Sequence, residues 1–140
     1  MEKYRILPHT SDGKFRAYGQ TLEEAFANAA LAMASLMWDW RKVEPRLSHA
    51  VRACGRDREQ LLVKFLGEIV YLLDTSRFLL SAVEGLRIRE DAGAWTLEAE
   101  LRGDTLSERH EIHGNVKAVT YNDMKIEEYD GFVVQVVVDM

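Results

Sequence analysis

Three features of the sequence predict an α+β fold: a mostly antiparallel β-sheet packed with two amphipathic helices, in a single domain covering residues 1–140. Two stretches, opening near Leu22 and Leu61, repeat apolar residues at helical spacing directly behind capping signals. The segments around them alternate apolar and polar residues, or run in β-branched ones, and are cut by short turn sequences. The chain closes on Phe132-Val133-Val134-Gln135-Val136-Val137-Val138-Asp139-Met140, a valine run that suits a strand covered on both faces. A length of 140 residues is that of one domain able to bury a proper core.

Tyr4 to Leu7 reads as a first strand, ended by Pro8. His9-Thr10-Ser11-Asp12-Gly13 is a polar, turn-forming loop in which Gly13 is available for a positive φ. Phe15, Ala17 and Tyr18 give a second strand, stopped at Gly19, so the two strands form a hairpin whose loop carries His9 and Asp12. Thr21-Leu22-Glu23-Glu24 is a capping box, and Leu22, Ala25, Phe26, Ala29, Ala30, Met33 and Met37 then share one stripe. The small alanines allow this helix to lie close to a sheet, and helices on one face of the sheet bury their stripes against it. Pro45 marks a loop, Leu47 to Cys54 a strand, and Asp57-Arg58-Glu59-Gln60 a second capping signal. Leu61, Leu62, Phe65, Leu66, Ile69, Leu72 and Leu73 form the second stripe, with Gly67 inside it as a candidate for close helix packing. Phe78 to Val83 and Leu86 to Ile88 read as one long strand bulged at Gly85, followed by the turn Asp91-Ala92-Gly93. Trp95, Leu97, Ala99 and Leu101 alternate as in a half-buried strand, and residues 103–114 are polar and irregular. Val116 to Tyr121 and Met124 to Tyr129 read as two strands, and Asp130-Gly131 as a hairpin turn into the valine run.

The formal net charge is −5 and no Lys/Arg block occurs, so a tight, direct grip on nucleic acid is not expected. Cys54 is the single cysteine, which excludes an intrachain disulfide and a Cys-pair metal site; it reads as core. No apolar signal core follows Met1 and no run approaches membrane-spanning length, so a cytoplasmic protein with no membrane attachment is the expectation.

The sequence holds no glycine-rich phosphate loop, nucleophile elbow or His-Glu-x-x-His helix. Ser11 beside His9 does not suit a nucleophile and base, because neighbours this close do not reach in-line geometry and no oxyanion-hole motif follows. His110 and His113, three apart on an extended segment, point to opposite faces and read as solvated loop residues. Trp38 and Trp40 follow a helix end and either pack on the core edge or dock a partner. Asp12 has two readings, closure of an Asx-turn or membership of a site. With Asp139 and the carboxylate of Met140 it would form a hard-cation site for Ca²⁺, Mg²⁺ or Mn²⁺, provided that the first hairpin loop lies beside the end of the last strand. Without that proximity the terminus is frayed and solvated.

Pro8-His9-Thr10, Asp12, Arg16-Ala17-Tyr18-Gly19, Thr21-Leu22-Glu23-Glu24-Ala25-Phe26 and Ala29-Ala30 resemble the N-terminal signature of the archease family. Leu72-Leu73-Asp74, Lys117-Ala118-Val119-Thr120-Tyr121 and the run from Val134 to Asp139 resemble its later ones, in order along nearly the whole chain. The resemblance implies an accessory protein, not an enzyme: a protein cofactor that activates an RtcB-type RNA ligase in tRNA splicing by promoting guanylylation of the ligase and multiple turnover. It further implies a divalent metal site, calcium in the first place with Mg²⁺ or Mn²⁺ as substitutes, on Asp12, Asp139 and Met140, with His9 behind them. A chaperone-like modulator of other RNA-processing or RNA-modifying enzymes is the alternative, and a small metal-dependent hydrolase a third reading that lacks a positioned nucleophile. The chain departs from the family in Ser11-Asp12-Gly13-Lys14, where an aliphatic residue and Gly usually follow the acid, and in Asn122, where a histidine is common. Lys14 thereby brings a cation near the acids.

Overall fold

The computed structural model describes residues 2–8 and 12–140. Seven strands and two helices follow one another as β1 (Tyr4–Leu7), β2 (Gly13–Gly19), α1 (Leu22–Ser35), β3 (Leu47–Gly55), α2 (Arg58–Ser76), β4 (Phe78–Asp91), β5 (Ala94–Thr105), β6 (Ala118–Glu128) and β7 (Phe132–Asp139), with one 3₁₀ turn at Trp40–Lys42. The α+β class holds, but the strands divide into two antiparallel sheets, of order β1-β2-β7-β6 and β3-β5-β4. Neither helix is confined to one face of a single sheet. The first packs on β1, β2 and β7 of one sheet and on β4 of the other; the second packs on β3, β4 and β5 and also on β6. That placement explains why α1 is buried almost all round, with every residue from Ala29 to Ala34 inside, where the sequence shows one stripe.

Both helices start as their side chains dictate. Thr21 Oγ1 accepts from the Glu24 amide at 3.1 Å while the Glu24 carboxylate reaches back to the Gln20 amide at 2.9 Å. The same device recurs at α2, where Asp57 Oδ1 accepts from the Gln60 amide and Gln60 Oε1 from the Arg56 amide. Arg77 stops α2 in the left-handed region, φ 56°.

Among the strands, β4 is bulged as its glycine suggests: its register shifts between Leu80 and Ala82 and between Glu84 and Arg87, and Gly85 has φ 60°. The stretch 116–129, read as two strands, holds the single strand β6 (Ala118–Glu128) with a register shift between Thr120 and Lys125, and Val116 is a buried residue ahead of it. β5 runs on to Thr105, so the irregular stretch is shorter than its polarity suggests. The last strand lies at the centre of its sheet. Val134, Val136 and Val138 face α1 in the core, and Val137 and Gln135 are buried on the opposite side. Gln135 interrupts the valines because it has work to do: its carbonyl oxygen accepts from Arg16 Nε at 2.9 Å and its amide donates to the Asp123 carbonyl at 2.8 Å, tying β2, β7 and β6 together.

Cys54 is exposed and not core: Val51 and Ala53 take the inward positions of β3, and period-two alternation leaves Cys54 outside. Among the described residues no helix is long and apolar enough to cross a membrane.

Candidate functional site

Strand register places the acids singled out in the sequence. Gly13 pairs with Val138 across β2 and β7, so Asp12, one residue before, and Asp139, one residue after, lie at the same end of adjacent strands. Asp139 belongs to β7 and pairs with Ala118 of β6, and its carbonyl accepts from the Lys117 amide at 2.7 Å. The end of the chain is therefore held in the ladder as far as Asp139. Asp12 is half-buried and Asp139 exposed. His9 and Ser11 lie outside the described residues.

Met140 is fixed by its side chain, which packs on the hydrophobic core. Gly13 makes the room. A Cβ there would stand 2.9 Å from Met140 Sδ, 2.7 Å from Leu36 Cδ1 and 3.0 Å from Val138 Cγ2. The positive φ expected of Gly13 is not used; this glycine is required for close approach. On the other side, a Cβ on Gly114 would collide with the Leu36 carbonyl oxygen and lie 3.1 Å from Met140 Cε.

The cation expected beside the acids is engaged elsewhere. Lys14 alternates with the buried Gly13 and Phe15, and its ammonium stands 3.6 Å from Asp123 Oδ2 in the bulge of β6. Asn122 occupies the same bulge, its amide donating to Thr120 Oγ1 at 3.2 Å. The donors gathered at this end are carboxylate and backbone oxygens, the chemistry that suits a hard divalent cation. Among the described residues no cluster of three or more His, Cys, Asp or Glu side chains stands ready for a metal. A cation here would depend on the Met140 backbone oxygens as well.

The histidines of the polar loop are not idle in solvent. The His113 amide donates to the Met37 carbonyl at 2.8 Å and its Nε2 lies 2.9 Å from the Ser35 carbonyl, so it covers the carbonyl end of α1. His110 Nδ1 accepts from the Ser107 amide at 3.0 Å. The tryptophans pack on the core edge: Trp38 is buried and donates to Leu80 O at 2.9 Å, and Trp40 donates to the Tyr4 hydroxyl at 3.0 Å beneath the Arg41 guanidinium. Leu36, His113 and Gly114 were not legible as parts of this end of the molecule; the one sequence signal was a glycine isolated in a polar segment.

The Archease protein family model matches residues 4–140. The chain is 40% identical to a protein archease of Methanosarcina acetivorans, over 99% of this chain and 97% of the relative. It is 42% identical to one of Pyrobaculum neutrophilum, over 98% and 95%. The solution structure of protein 1598 of Methanobacterium thermoautotrophicum superposes with a TM-score of 0.86 at 34% identity, each chain covered in full. A Thermotoga maritima crystal structure, of an archease described as a possible chaperone, shares the fold at a TM-score of 0.55 and 16% identity, over 97% and 96%.

Proposed function

Because the chain belongs to the archease family, we propose that it is an accessory partner protein that activates an RtcB-type RNA ligase by promoting its guanylylation and so its repeated turnover. The observation that carries this reading is the register that sets Asp12 and Asp139 side by side at one sheet end, with Met140 anchored next to them. Asp12, Asp139 and the Met140 backbone oxygens would hold one divalent cation: the all-oxygen set suits calcium, magnesium or manganese, and the family resemblance puts calcium first. A cation so held supplies positive charge that offsets the charge of triphosphate oxygens during nucleotidyl transfer. β7 is bonded on both edges, so Asp139 meets a partner from a strand that is already ordered.

A guanylylation assay of the matching ligase, with and without this protein, tests the reading. Wild type should stimulate the reaction. Asp12→Ala and Asp139→Asn should abolish the stimulation and weaken cation binding about tenfold or more. Undiminished stimulation by both variants would show that a docking surface alone suffices, as for a chaperone-like modulator of other RNA-processing enzymes.

A further inference from the structure

Gly13 and Gly114 are unusual among the glycines of this fold. They come from different segments, neither has a positive φ, and both leave space for the same side chain, that of Met140. We propose that the Met140 side chain is a positioning element, seated in a socket of Gly13, Leu36 and Gly114, that fixes Asp139 and the Met140 backbone oxygens beside Asp12 in readiness for a divalent cation. This inference rests on the metal reading above and adds the part of the chain that sets the site's geometry.

The socket is closed from two directions. From the strand side, Gly13 brings the backbone of β2 so near that Met140 Sδ occupies the space its Cβ would need. From the loop side, Gly114 lies against the Leu36 carbonyl, where any side chain would push the loop away. Two fastenings hold that loop down. His113 bonds the Ser35 and Met37 carbonyls at the end of α1, and the Lys117 amide bonds the Asp139 carbonyl of β7. The unbranched thioether suits such an irregular gap. A residue with a free side chain loses backbone and rotamer freedom when its oxygens are drawn onto a cation, and one already seated does not. The donors are untouched by a change at the Met140 side chain, so its effect on affinity isolates positioning.

The test uses the full chain, with Ca²⁺ and Mn²⁺ as probes. Calorimetric titration should find Met140→Ala about tenfold weaker for the cation, and the shape-conserving Met140→Leu within about threefold of wild type. In metal-free protein, the ¹³C-methyl resonance of Met140 should be ordered and displaced from its random-coil position, and should return to it in Gly114→Ala. A mobile Met140 methyl in wild type, or Met140→Ala binding as tightly as wild type, overturns the socket and leaves the metal reading standing. Wild type that takes up neither ion, or Asp139→Asn with unchanged affinity, overturns the metal reading and the socket with it. Should Gly114→Ala fail to fold, the Met140 pair and the wild-type resonance decide alone.

Discussion

Trp38 illustrates what one buried polar atom contributes. Its indole is enclosed, and the N–H reaches the Leu80 carbonyl next to the point where the β4 ladder shifts register. Trp38→Phe keeps an aromatic ring but removes the buried hydrogen bond to the Leu80 carbonyl. The expected loss is about 1–3 kcal/mol in guanidinium unfolding, and a loss under about 0.5 kcal/mol would show that the bond adds little. Asn28 works in the same way on α1, donating to the Tyr18 carbonyl at 2.7 Å and pinning the helix to β2. Such contacts were not legible in the sequence, because they join residues that only the packed chain brings together. The pair Asp12 and Asp139 is of the same kind: both acids stand out in the sequence, and their adjacency comes from the β2–β7 register.

At the scale of elements, local chemistry and tertiary packing divide the work. Both helices begin where their capping residues lie, and the turns at Ala92-Gly93 and Asp130-Gly131 take positive φ values, which Gly93, Gly131 and Asp130 favour and Ala92 does not. Gly67 is a different case. A Cβ there would meet nothing within 4 Å, so this glycine serves no close approach in α2. Gly67→Ala should therefore stabilise the protein by about 0.5–1 kcal/mol, read as a raised denaturation midpoint at unchanged slope; destabilisation would mean that the site is occupied in the folded state. β6 shows the limit of pattern reading. Its bulge, with Asp123 at φ 51°, breaks the alternation and makes one strand look like two.

Over the whole molecule, stability should follow the layering. The last strand is central in its sheet and buried along most of its length, whereas residues 84–91 of β4 are half-buried or exposed and form one arm of the hairpin that ends at Gly93. Native-state hydrogen exchange should give the highest protection to bonded amides of Val134 to Val138, and markedly lower protection to those of Leu86 to Trp95. The reverse order would mean that the hairpin, and not the valine strand, is the last part to open. A protected β7 is also what the proposed function needs, since the acids at its end can be fixed only as well as the strand that carries them.

By itself the sequence determined the α+β class, the two capped helices and nearly every strand, and it singled out Asp12 and Asp139 as candidates. These follow from periodicity, capping and turn residues, which act over a few positions and are written locally. Only the tertiary structure decided that the strands form two sheets with the helices between them, that Cys54 faces outward, that Lys14 turns to Asp123, and that Asp12 meets the chain's end. Each of those depends on which distant surfaces bury one another. The same sequence stripe on α1 is compatible with one covering layer or two, and the choice falls to the arrangement that removes the most apolar surface from water.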